Sequence, residues 1–283
     1  MIKQTIVKTI QYITMKKINK PLICAALIFG AITFFAATVQ AQDTNMLIST
    51  TGPNVLGQNH IQWNNSLEYY HYGLNGANLH FNSHSIGIAT GLRFGIGNRA
   101  ELTLDLAGTY ATFDTTIFHN TTGFSPAVGA KLLLFEGRGL LPKTSFFTNV
   151  AARVSQNAYN LRWDTIVQPE IGLLFRNRLG KRFLLDYSLG YAWNRYSVED
   201  IDFTNQVQYS LQLRWMHSAR QMTSLGISNR NSIRNPTVDL ETRRQLTDDL
   251  QLTVAASVAA GYGLGMVFAD RIHGLVGLSW MIK

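Results

Sequence analysis

"NQVQYSLQLRW", residues 205–215, sets Val207, Tyr209, Leu211, Leu213 and Trp215 at every second position, with Gln206, Gln208, Ser210, Gln212 and Arg214 between them. Successive side chains of an extended chain point to opposite faces, so this is a strand with one apolar wall and one wall of amides, hydroxyl and guanidinium. A soluble sandwich buries the apolar wall in its core, whereas a membrane barrel turns it outward to lipid and keeps the polar wall inside. The choice between them rests on the rest of the chain.

The same two-residue period recurs from residue 60 to the end, and no window of helical length carries a 3.6-residue stripe. About twelve strands are expected, beginning with "HIQWNNSLEYY", "SIGIATGLRFGI" and "ELTLDLAGTYA" and ending with "LQLTVAASVAA" and "IHGLVGLSWMI"; the ninth and tenth, "MTSLGIS" and "TVDLETR", are the shortest. Connections after even-numbered strands are short and rich in Gly, Asn, Arg and Asp, as in "GNRA", "NRLGKR" and "RQLTDD". Those after odd-numbered strands are longer, as in "GLNGANLHFNSH", "TFDTTIFHNTTGF" and "NRYSVEDIDFT". Tight turns alternating with longer loops are how outer-membrane barrels are built, and a Greek-key sandwich has no reason to alternate so regularly.

The N-terminal segment points to export. Lys16, Lys17 and Lys20 precede the apolar run "PLICAALIFGAITFFAATV", and Val39 and Ala41 supply a small-residue cleavage pattern, so residues 1–41 read as a signal peptide, 42–59 as a periplasmic lead-in too short for a plug domain, and 60–283 as the barrel. Cys24 is the chain's single cysteine, so the exported part holds no disulfide and no thiolate metal site. Five of the 25 basic residues and none of the 17 acidic ones precede residue 42, so the formal charge falls from +8 to +3 on cleavage. That modest balance, together with export, removes the case for nucleic-acid binding.

Aromatic positions give an independent check. Tyr69, Tyr110, Tyr191 and Trp193 fall toward the outer ends of odd strands, and Phe94, Phe175, Trp215 and Trp280 toward the periplasmic ends of even ones, all on the apolar face. Rings concentrate at the two membrane interfaces, where the ring sits in the acyl boundary and its polar atom reaches water. With strands about 4.8 Å apart and tilted about 40°, twelve of them close at a radius of roughly 12 Å. The second face, heavy in Gly, Ala, Ser, Thr, Gln and charge, cannot fill that space as a dry core and suits a narrow wet lumen.

Few motifs carry chemistry. "GIGNRA" at 95–100 matches a dinucleotide fingerprint, but "ELTLDL" continues at period 2 where the fingerprint needs a helix, so Gly97 and Asn98 read as hairpin-turn residues and no cofactor is expected. "GYGLG" at 261–265 reads as loop. His80 and His84 in "HFNSH" sit four apart in an apparent Gly/Asn-rich loop without a supporting ligand, so no metal site is expected. Ser228 in "ISNRNS" faintly resembles the nucleophile of an outer-wall lipid hydrolase, yet no histidine stands at a matched position, so no catalytic residue is assigned. The ionisable residues expected to line the lumen are Glu68, Arg93, Asp105, Lys131, Arg153, Glu170, Arg176, Asp186, Arg214, Glu241 and Arg243. Charges at membrane depth line a conduit or form a salt-bridged stopper, and mixed signs argue against strong ion selectivity.

The hairpin "LRFGIGNRAELTLDL", the stretch "GFSPAVGAKLLLFEG" with Gly129 and Lys131, and "LTDDLQLTVAAS" together resemble the outer-membrane transporter family named after the meta-pathway of phenol degradation. The resemblance implies an antiparallel up-and-down transmembrane β-barrel and no established catalytic residues. The chain departs from the usual terminal aromatic, ending Trp280, Met281, Ile282, Lys283, which weakens the signal that barrel-assembly machinery reads. The expectation is an outer-membrane, porin-like barrel of a Gram-negative cell, non-enzymatic, contacting outer-membrane lipid and passing small aromatic or apolar solutes. Its rivals are a closed structural or adhesive barrel and a lipid-modifying enzyme.

Overall fold

The computed structural model describes residues 52–282, apart from 76–79, 116–117, 139, 159, 198–201, 230–235 and 261–267; the proposed signal peptide, the "GYGLG" segment and Lys283 lie outside the described residues. Twelve strands follow one another: β1 (Ile61–Asn75), β2 (His80–Ile96), β3 (Ala100–Phe113), β4 (Thr121–Phe135), β5 (Lys143–Gln156), β6 (Trp163–Leu179), β7 (Phe183–Ser197), β8 (Asp202–Ser218), β9 (Gln221–Ser228), β10 (Thr237–Gln245), β11 (Leu250–Ala260) and β12 (Phe268–Ile282). Each pairs antiparallel with its sequence neighbours, and β1 meets β12 from Ile61↔Ile282 to Asn75↔Phe268, closing the sheet into an up-and-down barrel. Closure satisfies both edges of every strand, which a sheet in hydrocarbon requires.

The strands run further than their hydrophobic alternation suggested. β1 continues through "HYGLN", β2 starts at His80, and β8 spans Asp202–Ser218, so much of what read as long loop is paired strand. His80 and His84 therefore belong to β2 and not to a loop. The physical reason is that polar strand ends beyond the apolar band lose their alternation signal but keep their ladder partners, such as His71↔His84. β9 and β10 are the shortest strands, as expected.

The register sorts the two walls. Trp63, Leu92 and Leu104 share the outer face through the pairs Trp63↔Leu92 and Leu92↔Leu104, and alternate positions Gln62, Arg93 and Thr103 share the inner one. Outer residues are large and exposed, with Ile88 at 65%, Leu67 at 55% and Trp280 at 52%, whereas Arg93 and Arg214 are fully buried on the inside. This inversion of the soluble pattern is what a hydrocarbon solvent selects. The segment 205–215 thus turns its Leu–Trp wall outward.

At the β2–β3 connection Gly97 takes φ +73°, a left-handed conformation that favours glycine, and the hairpin continues into β3 without a helix. β9 stops at Ser228 while β8 extends beyond it. Asn229 completes the ladder there: its Nδ2 donates to Val207 O at 2.8 Å, and its Oδ1 accepts Tyr209 N–H at 2.7 Å.

Candidate functional site

The inner wall near the turn end, the end carrying connections such as 97–99 and 180–182, holds a continuous band of charge. Arg93 on β2 donates from Nη2 to both oxygens of Glu101 on β3 at 2.6 Å and from Nη1 to Gln62 Oε1 on β1 at 3.1 Å. Lys131 on β4 lies 3.3 Å from Glu101, its cross-strand partner. Further round, Arg176 on β6 forks onto Asp186 on β7 at 2.6 and 2.8 Å, and Arg214 Nε on β8 lies 2.7 Å from the same carboxylate. On β10, Arg243 lies 2.6 Å from Glu241. Such pairs tolerate desolvation because each buried carboxylate meets one or two guanidinium forks.

Below the band sits a feature with no counterpart in the strand pattern. Residues 52–57 of the lead-in enter the lumen as a strap. Lys131 Nζ donates to the carbonyls of Gly52 at 3.0 Å and Asn54 at 3.3 Å, Ser145 Oγ donates to Pro53 O, and Leu56 N–H donates to Glu101 Oε2 at 2.8 Å. Leu56 is wholly buried among these groups. Asn59, at φ 61°, turns the strap toward β1, and Gly95 N–H donates to His60 O at 2.9 Å. A Cβ on Gly95 would overlap the Gly57 carbonyl oxygen, so glycine is what lets the strap lie against β2. Although too short to fold alone, the segment is held against the inner wall at this end of the lumen. On β7, β8 and β9, Leu184, Met216 and Met222 form a small buried apolar cluster on the inner face, a dry patch that the polar inner-wall pattern did not announce.

The charged residues picked out from sequence fall into separate groups. Arg93, Lys131, Arg176, Asp186, Arg214, Glu241 and Arg243 lie in the band. Asp105 and Glu170 border a cavity of about 250 Å³ beside it, together with Thr103, Phe147 and Asn149. Glu68 stands apart on β1, accepting bonds from Ser66 at 3.1 Å and from Tyr70, whose ring stacks at 4.3 Å on His273. Arg153 is exposed on β5, opposite Ile166. Sequence reading placed Glu101 as the first residue of the third strand, "ELTLDLAGTYA", but did not pick it out among the lumen-lining charges, and it is the hub of the band. The Lys131 alternation plus a hairpin register would have placed it opposite.

Among the aromatics, Tyr69, Tyr110, Trp215 and Trp280 are exposed on the outer face. Phe94 pairs with Leu102 on that face, Phe175 stacks on Tyr187 at 4.9 Å, and Tyr191 meets Trp193 edge to face at 4.8 Å. Trp63, on the apolar face of the first strand, pairs with Trp280 across β1 and β12. Tyr69 lies well short of the end of β1, because that strand continues to Asn75.

A closed barrel with an apolar outside and a polar, charge-banded inside defines the class: this is the fold of an outer-membrane β-barrel. The chain is similar in structure to an outer membrane channel from Pseudomonas putida F1, with a TM-score of 0.56 at 10% identity over 83% of this chain and 100% of that one. It is similar also to the translocator domain of the autotransporter NalP from Neisseria meningitidis, with a TM-score of 0.51 at 10% identity over 80% and 89% of the two chains. A third likeness is to the Ralstonia pickettii toluene transporter TbuX, with a TM-score of 0.50 at 6% identity over 88% and 96%. No family model matches the chain, and no curated protein matches it. At these identities the likeness is one of fold.

Proposed function

We propose that the protein is an outer-membrane conduit for small solutes, aromatic or apolar ones among them, related to the transporter family that its hairpin motifs resemble. The observation that carries this reading is the unfilled part of the lumen. The inner wall carries small residues on β2–β4 and on β8–β9, with Gly87, Ala89 and Gly91 on β2, Ala107 on β3, Ala127 on β4, Ser210 on β8 and Gly226 on β9, and a cavity of about 250 Å³ lies beside the strap. A barrel serving only as a scaffold gains stability from filling such space. Two of the similar barrels are an outer membrane channel and a toluene transporter, and the proposal extends that kind of cargo to this chain. In this reading the turn end faces the periplasm, the lumen-lining charges hold the strap, and the outer aromatics seat the barrel at the two interfaces.

The ion-paired band and strap favour one second reading, a barrel that is permanently shut. Single-channel recording in planar bilayers, with solute uptake by proteoliposomes, separates the two. The conduit reading expects conductance that rises when residues 52–57 are deleted; silence and no uptake from both proteins would defeat it. A hydrolase acting on lipid draws no support from Ser228, which shares the inner face with Ser210 and whose hydroxyl donates to Asp239 at 2.8 Å. A nucleophile serving bilayer lipid needs the outer face and a base.

A further inference from the structure

The cavity above the strap is lined by three carboxylates, Glu101, Asp105 and Glu170, against two cations, Arg93 and Lys131. The donors are already committed. Arg93 holds Glu101 and Gln62, and Lys131 holds two strap carbonyls besides Glu101. Asp105 and Glu170 make no hydrogen bond or ion pair among the described residues, and the buried Oδ1 of Asn149 receives no donor there. The lining thus carries one more carboxylate than cation, with Arg93 acting on Asp105 only through space, and offers a set of acceptors without donors in a confined volume.

The same cavity also has an apolar lining in Phe147 and Leu174. Phe147 lies on the inner wall over two glycines: a Cβ at Gly172 would come within 2.6 Å of its Cε1, and one at Gly190 within 3.5 Å of its Cζ. A Cβ at Gly129 would likewise crowd Thr103 Oγ1 at 2.6 Å and Asn149 Oδ1 at 3.2 Å, and one at Gly91 would overlap Asp105 Oδ1. Glycine thus lets the ring and the acceptors lie back against the wall and leaves the space before them clear.

We infer that this cavity is a binding site for a small organic cation, a primary ammonium on an aromatic or alkyl body. The ammonium is taken by Asp105, Glu170 and Asn149, and the body lies on Phe147 and Leu174. An ammonium supplies the donors and the charge that the wall lacks, and an aromatic face adds attraction to the cation and to the ring it carries. The inference rests on the conduit reading for its meaning, since it names the solute that would pause in the lumen, but its test does not require transport.

Binding of 2-phenylethylammonium, 2-phenylethanol and phenylacetate to the detergent-purified full barrel is measured by calorimetry. The expected order is ammonium over alcohol over carboxylate, with saturable one-site binding. Asp105→Asn with Glu170→Gln is expected to weaken the ammonium by about tenfold or more and to leave the alcohol nearly unchanged. Phe147→Leu is expected to weaken both. Phenylacetate or the alcohol binding as tightly as the ammonium to the wild-type protein overturns the inference without recourse to any variant. So does undiminished ammonium binding by a folded double variant. Loss of conductance with this binding order intact would instead sink the conduit reading and leave the site standing.

Discussion

Glu101 accepts the backbone N–H of Leu56 at 2.8 Å through one carboxylate oxygen while both of its oxygens engage Arg93 at 2.6 Å. One side chain thus ties the strap to the wall and neutralises a guanidinium that has no access to water. Replacing it separates these duties.

Glu101→Gln leaves Arg93 and Lys131 buried without their carboxylate. A loss of about 3–5 kcal/mol in unfolding free energy is expected, as for other broken buried pairs. Denaturant titration of the detergent-solubilised barrel, monitored by tryptophan fluorescence, checks it; an unchanged midpoint would show that the band contributes nothing to stability.

Gly95→Ala drives a methyl group into the Gly57 carbonyl. The strap, held by a few hydrogen bonds, yields before the β2 ladder does. The expected result is higher single-channel conductance and faster proteolysis near residue 57, with the far-ultraviolet circular dichroism of the barrel preserved. If conductance and cleavage both stay at wild-type levels, Gly95 does not control the strap.

Ile88, in the middle of β2 and 65% exposed, tests which wall meets lipid. Ile88→Arg is expected to destabilise the barrel in lipid by about 2–4 kcal/mol. Ala89→Ser, one residue on and facing the lumen, is expected to shift stability by about 0.5 kcal/mol or less. Equal effects in folding titrations into bilayers would contradict the assignment of faces.

Asn229→Ala frees the Tyr209 N–H and Val207 carbonyl where β9 ends. A loss of about 1–3 kcal/mol follows from unsatisfied backbone groups. Amide exchange at Tyr209 should accelerate, while amides nearer the turn end of β8, such as Leu213, keep their protection.

Asp114, just past β3, accepts the backbone and side-chain N–H groups of Asn82 at 2.6 Å each, and these bonds hold its carboxyl below the ordinary aspartate range. A lowered acid contributes stability above its unfolded value and loses it as pH falls through the folded one. The Asn82 amide resonance should therefore stay constant down to the usual aspartate range and move only below it. A shift centred at or above that range would refute the bonding.

Alternation in stretches such as 205–215 was sufficient for the strand count and for sorting each strand into two walls, because both depend only on which side a side chain points; the up-and-down order and the identity of the lipid wall needed the alternating loop lengths, the aromatic positions and the small, polar second face as well. The mixed-sign residues Arg93, Lys131, Asp186 and Arg214 could likewise be assigned to the inner wall. Their pairing could not. Glu101 opposite Lys131, or Arg176 opposite Asp186, depends on hairpin register, which turns set only to within a residue or two. Strand ends such as His80–His84 were illegible because polar ends outside the apolar band lose their two-residue contrast while keeping their hydrogen bonds. The strap was invisible for a different reason: "GPNVLG" has no pattern of its own, and its contacts with Glu101, Lys131 and Ser145 reach across 45 to 92 residues of chain. Closing the barrel brings those partners to one level of the lumen, so only the tertiary structure decided where the strap meets the wall.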